Sequence, residues 1–189
     1  MKHEKGSVLL ISLVMLLILT IVGIASISGV SMTEKMTNSQ RDYDIAFEMA
    51  EAALVQGETW IDDYSAGFSV EHLSDSCSGT TCFTENCNAG LCFRGEYLSE
   101  GSLCELDSSG TPVWQSEAIW DSNAATYSRN IAAVEPPKYL VEFLCLTAVD
   151  PTSQTSDLAY MYRITSLAYG THPETRVMLQ STYKVEKTN

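Results

Sequence analysis

The chain has 189 residues and a formal net charge of -13, with 24 Asp and Glu against 11 Lys and Arg. This length allows one apolar anchor and one domain of ordinary size. A chain this acidic repels phosphate backbones and anionic headgroups, so the composition argues against nucleic-acid binding. An acidic surface is typical of exported domains and by itself indicates no catalysis.

The first element is an apolar run behind a short polar head. No charged residue lies between Ser7 and Glu34. Roughly 20 apolar residues cross a bilayer as a helix, whereas a signal peptide has an apolar region of about 7–15 residues. The run therefore predicts a membrane-spanning helix over residues 7–33. The lysines in front of it, Lys2 and Lys5, predict a cytoplasmic N-terminus and an outward-facing remainder.

Two positions in this run could be cleaved. The segment 25–29, Ala-Ser-Ile-Ser-Gly, mimics a signal-peptidase site, and a cut there would remove the anchor. At the front of the run stand Lys5, Gly6 and Ser7. This junction resembles the leader of type IV pilins and their relatives, where a dedicated peptidase cuts after the glycine and the apolar helix survives. The resemblance implies a leader over residues 1–6, cleavage between Gly6 and Ser7, and N-methylation of Ser7.

The helical pattern continues to residue 64. Within the amphipathic second half, 34–64, one apolar face is predicted to consist of Met36, Tyr43, Phe47, Ala50, Leu54, Gly57, Ile61 and Tyr64. No proline interrupts the chain from Ser7 to Tyr64, so the pattern predicts a single helix of about 85 Å. Gly23 and Gly29 are the positions where this helix would melt at least cost.

Six cysteines follow the anchor: Cys77, Cys82, Cys87, Cys92, Cys104 and Cys145. An even number on the outward side of a membrane predicts disulfides. The first four recur every five residues. That spacing does not exclude zinc, but an oxidising compartment disfavours it, and we predict no metal site. Six cysteines allow about fifteen connectivities. We favour a Cys87–Cys92 pair, with Cys104 or Cys145 tying the loop region to the sheet.

The stretch from residue 65 to about 137 is irregular and rich in Gly, Ser and Asn, with short possible strands near CFRGEYL (92–98) and TPVWQS (111–116). Beyond it, alternating sequence predicts three strands at about 138–149, 158–170 and 175–187. Turn-forming residues in DPTSQTSD and GTHPE join these strands into an antiparallel meander.

The predicted fold class is α+β. A long N-terminal helix, half of it a membrane anchor, packs on a small antiparallel sheet. The globular domain over residues 65–189 is periplasmic or extracellular and contains a loop region stapled by cysteines.

Residues suited to catalysis are few. The three histidines, His3, His72 and His172, are too scattered to predict a metal site or a triad. Glu48 and Glu51 lie three apart on the predicted helix, which favours a solvated face or a subunit contact over an acid pair. Asp107 begins a DSSGT segment that resembles part of a calcium loop but lacks the closing glutamate. We therefore predict no enzyme activity and no cofactor.

The segment TEKMTNSQRDYDIAFEMAEAAL resembles the one that follows the anchor in the PilX family of type IV pilus assembly proteins. The matching residues are Glu34, Met36, Asn38 (one position off), Arg41, Asp42, Ala46, Phe47, Ala50, Glu51, Ala52, Ala53 and Leu54. The segments PPKYLVEFL and YRITSLAYGTHPETRVMLQSTY resemble the end of the same family. The resemblance covers most of 1–64 and 136–185, and the cysteine-rich middle matches poorly.

The resemblance implies a pilin-like fold and a minor pilin, which primes assembly of a type IV pilus or sits at its tip. Its expected partners are other minor pilins and the major pilin through the N-terminal helix, a tip adhesin, and the prepilin peptidase. Its expected location is the inner membrane, with a periplasmic C-terminal domain, and afterwards the extracellular pilus.

One departure from the pilin pattern concerns the fifth residue after the cut. Major pilins have a glutamate there, and this chain has Ile11. A buried N-terminal ammonium needs a charge partner, so Ile11 predicts a poor fit in the shaft and a place at its end. The pseudopilin that caps type II secretion filaments also lacks this glutamate, and such a pseudopilin is the alternative. A membrane-anchored periplasmic enzyme is a third hypothesis, disfavoured because no catalytic constellation is present.

Overall fold

The computed structural model describes residues 5–65, 67–73, 77–93, 111–128, 133–150 and 158–186. It divides into two compact units, Met1–Arg41 and Asp42–Asn189. Helix α1, Lys5–Ser65, supplies the described structure of the first unit and the first element of the second. The helix is continuous, as expected from a stretch that contains no proline.

Short elements follow α1 in the second unit. They are the 3-10 turns Val70–Leu73, Asn88–Gly90 and Val113–Gln115, the strands β1 (Leu91–Cys92) and β2 (Ala125–Thr126), and helix α2 (Glu117–Ser122). The strand predicted near 111–116 is wrong. Pro112, with φ of -53°, precedes a 3-10 turn there, and Trp120 Nε1 donates a hydrogen bond to the Trp114 carbonyl at 2.8 Å. Of the strand predicted near 92–98, only Cys92 lies in a strand, and 94–98 lie outside the described residues.

Three long strands form the centre of the sheet: β3 (Lys138–Ala148), β4 (Leu158–Tyr169) and β5 (Arg176–Glu186). They pair antiparallel in chain order, as the predicted meander requires. The β3–β4 register shifts once, between Phe143 and Cys145, whereas the β4–β5 register is continuous. Each strand begins and ends within one residue of its expected bounds.

The sheet is mixed rather than purely antiparallel. Strand β1 pairs with β3 in parallel, and β2 pairs with β3 antiparallel. A parallel pair needs a connection of about a dozen residues or more, and the long segment between Cys92 and Lys138 provides it. A two-residue strand has no alternation to read, so the sequence pattern could not predict this pairing.

Small residues bring α1 close to the sheet within the second unit. The buried stripe of the helix, here called the inner stripe, consists of Ala46, Ala50, Ala53, Gly57 and Ile61. A Cβ atom added at Gly57 would lie 2.7 Å from Ile164 Cγ2 and 3.2 Å from Tyr139 Cδ2. An alanine here would push against both side chains, so glycine lets the helix lie close to the sheet. The helix is also tied to β5, since Ser181 and Tyr183 donate hydrogen bonds to Glu58 and Asp62.

The predicted apolar face of α1 is partly wrong. Ala50, Gly57 and Ile61 are buried as predicted, but Met36, Tyr43 and Phe47 are exposed, and Leu54 and Tyr64 are only partly buried. Large side chains would hold the helix away from the sheet, so alanines occupy the contact and the rings of Tyr43 and Phe47 remain exposed beside it. Periodicity alone ranks a large aromatic above an alanine and therefore selects the wrong stripe.

Each face of the sheet has its own cluster. On the face toward α1, Phe68, Phe83, Phe143 and Tyr162 pack ring against ring, with centroids 5.4–6.5 Å apart. The opposite face packs residues from the short elements against β3 and β4: Cys87, Cys92, Val113, Ile119, Trp120, Leu140 and Leu167. The cysteine-rich region thus contributes to the second cluster.

Candidate functional site

The N-terminal stretch of α1 has the properties of an assembly or membrane segment. By length and composition, α1 is able to cross a membrane. Its large apolar side chains from Val8 to Ile24 are all exposed, from 46% at Val14 to 70% at Leu9. Its hydroxyl groups are satisfied internally, with Ser12 donating to the Leu9 carbonyl at 2.9 Å. Thr20 does the same with the carbonyl three residues before it. Such a surface is stable only against lipid or other apolar helices.

The predicted processing junction lies at the start of this helix. Lys5, Gly6 and Ser7 are in the first turn of α1, and Ser7 is exposed. Ile11 follows Ser7 by four residues, so the two lie on the same side of the helix, and Ile11 is 58% exposed. Its side chain has no hydrogen-bond acceptor and therefore cannot pair with an ammonium.

A carboxylate at the start of the second unit joins α1 to the turn between β4 and β5. The Thr171 amide donates to Asp42 Oδ1 at 2.6 Å, and the Thr171 hydroxyl donates to the same oxygen. His172 Nδ1 lies 3.5 Å from Asp42 Oδ2. Asp42 is only 6% exposed. The hydrogen bonds from Thr171 and Thr175 hold the pKa of the Asp42 carboxyl well below its usual 3.8, so it stays ionised.

Gly170 allows this turn to reach the helix. A Cβ atom at Gly170 would lie 2.6 Å from Asp42 Oδ1 and 2.8 Å from the Asp42 backbone oxygen. The same glycine donates to the Thr175 carbonyl and accepts from the Val134 amide, both at 2.9 Å. The sequence identified Asp42 only as part of a family pattern and GTHPE only as a turn. The available signal was a carboxylate four residues before Ala46, at a position on the inner side of the helix.

The described cysteines form two short loops. Cys77 bonds to Cys82 and Cys87 bonds to Cys92, with Cα–Cα distances of 5.7 and 4.1 Å. The second pair is the one that the sequence favours. Cys145 is also disulfide-bonded, and Cys104 lies outside the described residues.

The other candidate residues do not converge on one site. His3 and Asp107 lie outside the described residues. His72 stacks on Phe68, with ring centroids 6.1 Å apart, whereas His172 lies beside Asp42. Glu48 and Glu51 are exposed on the helix surface. Within the described part of the chain, no three His, Cys, Asp or Glu side chains are grouped to hold a metal ion.

Comparison with family models assigns both ends of the chain. The PilX N-terminal model matches residues 5–55, and the model of the type IV pilus assembly protein PilX C-terminal region matches residues 100–185. Together they cover more than two thirds of the sequence. The chain belongs to the PilX family of type IV pilus assembly proteins.

The N-terminal PilX match covers most of α1, and the C-terminal match covers the 3-10 turn Val113–Gln115, α2, β2 and nearly all of β3–β5. Residues 56–99, which neither PilX model matches, include the four cysteines of the two short loops. Neither the curated proteins nor the solved structures give a significant match. The PilX family is a structural family of pilus assembly proteins.

Proposed function

We propose that the protein is a minor pilin that primes a type IV pilus and remains at its tip with other minor pilins and a tip adhesin. The observation that supports the tip position is Ile11, at the fifth residue after the proposed cut. A subunit inside the shaft would leave a neighbour's buried ammonium unpaired, which is costly in an apolar core. A subunit at the end has no such neighbour to neutralise.

The proposed maturation route follows from the junction at the start of α1. Prepilin peptidase removes residues 1–6, and Ser7 becomes the N-methylated first residue. Before assembly the chain crosses the inner membrane once, with a cytoplasmic N-terminus and a periplasmic second unit. After assembly it is extracellular, and we expect its loss to reduce twitching motility and cell adhesion.

The position in the filament is tested by immunogold labelling of sheared pili and by counting subunits. We expect scarce label at filament ends. Ile11→Glu restores the charge partner and should bring label into the shaft. Ile18→Glu is the matched control, because Ile18 is 53% exposed but lies seven residues further along the helix, where no ammonium needs a partner. Uniform labelling by the wild type, near the abundance of the major pilin, would contradict the tip position.

Processing is tested by mass spectrometry of the mature N-terminus. We expect methylated Ser7, with Gly6→Ala impairing the cut less than Gly6→Leu does. A mature chain that still begins at Met1, or one that begins after residue 25, would contradict maturation as a pilin. If deletion abolishes protein secretion and leaves pili unchanged, the chain is a type II secretion pseudopilin instead.

The oxidation state is tested on the purified, unreduced chain. We propose that Cys104 is the partner of Cys145, because the other four cysteines pair among themselves and Cys145 is bonded. Peptide mapping should find a peptide that joins these two cysteines and no free thiol. Stoichiometric zinc with reactive thiols would contradict this assignment.

A further inference from the structure

Strand β5 is the last strand in the order of the sheet, and among the described residues it pairs only with β4. The pairing runs from Arg176 to Glu186 without a register shift. Eleven residues at about 3.3 Å each give β5 an outer edge of roughly 35 Å. The backbone groups along such an edge can pair with a strand of another chain.

The turn that joins β4 to β5 shows which backbone groups of β5 point away from β4. The Gly170 amide donates to the carbonyl of Thr175, the residue opposite it in the register, so these two form a hydrogen-bonded pair. Hydrogen-bonded and non-hydrogen-bonded pairs alternate along an antiparallel ladder. The residues of β5 whose amides and carbonyls point outward are therefore Arg176, Met178, Gln180, Thr182, Lys184 and Glu186.

Strand β5 lacks several features that commonly protect an edge strand, such as a proline, a bulge or an outward lysine. Its sequence contains no proline, and its register with β4 is continuous. Its one lysine, Lys184, donates to the carbonyls of Ala148 and Val149 at 2.7 and 2.6 Å, which draws the ammonium across the sheet toward the end of β3. The bonds from β5 to α1 come from the side chains of Ser181 and Tyr183, so they do not occupy the backbone of the edge.

An added strand would extend the core on the side of the sheet that faces α1. Leu179, Tyr183 and Val185 pack against buried residues on that side but are themselves only partly buried. A neighbouring strand with apolar residues opposite them would cover more of their surface. On the other face of the sheet, Gln180 and Thr182 are polar and exposed. The edge therefore fits a strand in which apolar and polar residues alternate.

The charge of β5 restricts the chemistry of its partner. Residues 176–187 contain Arg176, Lys184 and Lys187 against one acidic residue, Glu186, in a chain whose net charge is -13. Opposite charges across an interface favour association, and like charges suppress it. A second copy of this chain would present the same net positive strand, whereas a strand that carries Asp or Glu would complement it.

We propose that the outer edge of β5 binds an extended, acidic segment of a different protein by strand addition, with the apolar residues of that segment on the side that faces α1. Main-chain hydrogen bonds to the outward-pointing residues of β5 give the affinity, and the alternating side chains give the selectivity. This inference goes beyond the proposed minor-pilin function, because the contact is made by the sheet and does not depend on a position at the pilus tip.

The first experiment blocks the edge at one backbone position. Thr182→Pro removes an amide that points away from β4, so the ladder between β4 and β5 should remain in place. Thr182→Ala is the matched control, because it loses the threonine side chain and keeps the amide. A photo-crosslinking residue at position 180 of the full chain in cells reports the partner. We expect the adduct to fall about tenfold in Thr182→Pro, since a main-chain hydrogen bond is lost, and to be unchanged in Thr182→Ala.

The second experiment tests the charge of the edge without changing the backbone. Arg176 is exposed, so Arg176→Glu should fold like wild type and should lower the adduct at position 180. Arg176→Lys keeps the charge and should preserve the adduct. Thermal unfolding of each full-length variant in detergent shows whether it is folded, and if Thr182→Pro is not, the pair of Arg176 variants decides.

The sequenced peptide of the adduct identifies the bound segment, and we expect it to come from a different protein and to alternate apolar with acidic residues. An adduct with a second copy of this chain, no adduct at position 180, or an adduct that folded Thr182→Pro and Arg176→Glu leave unchanged would overturn the proposal. If the adduct behaves as expected but wild type is absent from sheared pili, the proposed minor-pilin function fails and strand addition at β5 stands.

Discussion

Two stretches of helix α1 use apolar residues in opposite ways. Between residues 7 and 25 the large apolar side chains are exposed on every side of the helix. Between 42 and 65 the buried residues are mostly small, and two large side chains, Tyr43 and Phe47, are exposed, whereas Trp60 and Tyr64 are partly buried. In the second stretch the protein's own sheet covers one side, whereas the first stretch depends on surroundings that other molecules supply. An equally exposed apolar side chain therefore lies on the uncovered side of the helix in the second stretch, but depends on other molecules for its surroundings in the first.

The largest expected difference between the two stretches appears when a charged residue is placed in each of them. Leu17 and Val55 are almost equally exposed, at 55% and 57%. Leu17→Arg should cost about 3–4 kcal/mol of membrane insertion, because Leu17 is near the middle of the apolar segment and its own favourable contribution is lost as well. Val55→Arg should change stability by no more than about 0.5 kcal/mol, as is usual for surface substitutions. Alkaline extraction of membranes measures how firmly Leu17→Arg is inserted, and thermal unfolding in detergent measures the stability of Val55→Arg.

The control for this pair is Leu17→Ala, which shortens the side chain and adds no charge. We expect this variant to remain in the membrane fraction. If Leu17→Arg stays embedded as firmly as wild type, the first stretch is not a spanning segment, and the contrast between the two stretches disappears.

The sequence predicted the elements that have a long repeat. The three long strands and the unbroken helix each contain many periods of the pattern, so a misleading residue changes little. The sequence failed for β1 and for the 3-10 turn at Val113–Gln115, because two or three residues contain no full period and the conformation depends on distant partners such as β3.

The sequence could indicate only those parts of the candidate site whose residues lie close together in the chain. The apolar segment and the basic-Gly junction are each contiguous in sequence, so a local pattern is enough to propose them. The contact of Asp42 with Thr171 spans 129 positions. Neither segment contains a sequence pattern that indicates the other as its contact partner. The exposure of Tyr43 and Phe47 was also missed, because it depends on how closely alanines let the helix approach the sheet.

The next largest effect comes from the glycines where the second stretch meets the sheet. Gly170→Ala places a methyl group against the Asp42 backbone, and Gly57→Ala places one against Ile164. Overpacking of this kind costs about 1–3 kcal/mol, with Gly170→Ala toward the upper end because backbone cannot move aside. Thermal or urea unfolding of the full chain in detergent gives the values.

Gly67→Ala is the matched control, since its nearest neighbour would be 3.8 Å from the new Cβ. It should be neutral or slightly stabilising, because alanine restricts the unfolded chain. Equal destabilisation by all three alanines would mean that close helix–sheet contact is not what the glycines provide.

The Asp42 contact predicts a pH-dependent effect. The folded-state pKa of Asp42 is lowered, so its contribution to stability is complete above the ordinary carboxyl pKa of 3.8 and is lost as the pH falls toward the folded-state value. Asp42→Asn removes the titrating group while keeping the size of the side chain. The unfolding temperature of wild type should exceed that of Asp42→Asn at pH 7, and the difference should narrow below about pH 4.

Asp63→Asn is the control for general charge effects, because Asp63 is an exposed residue of the same helix. A difference between wild type and Asp42→Asn that stays constant from pH 7 to pH 3 would show that the hydrogen-bond geometry matters and the ionised carboxylate does not.

The smallest expected effect is a gain in stability rather than a loss, and it concerns hydroxyl groups. In the first stretch Ser12 and Thr20 donate to their own helix. Ser166, on the sheet face that packs against the second stretch, is 0% exposed, and its hydroxyl has no hydrogen-bond partner among the described residues. An unsatisfied buried hydroxyl costs about 1–3 kcal/mol, and Ser166→Ala removes it while leaving a small void. We expect a gain of about 0.5–1 kcal/mol in the free energy of unfolding. Thr165→Val, which removes the hydroxyl that accepts from Gln180 at 2.9 Å, should lose stability instead. If Ser166→Ala is also destabilising, the Ser166 hydroxyl has a hydrogen-bond partner. The hydroxyl groups at the helix–sheet contact are then satisfied, like those of Ser12 and Thr20 in the first stretch.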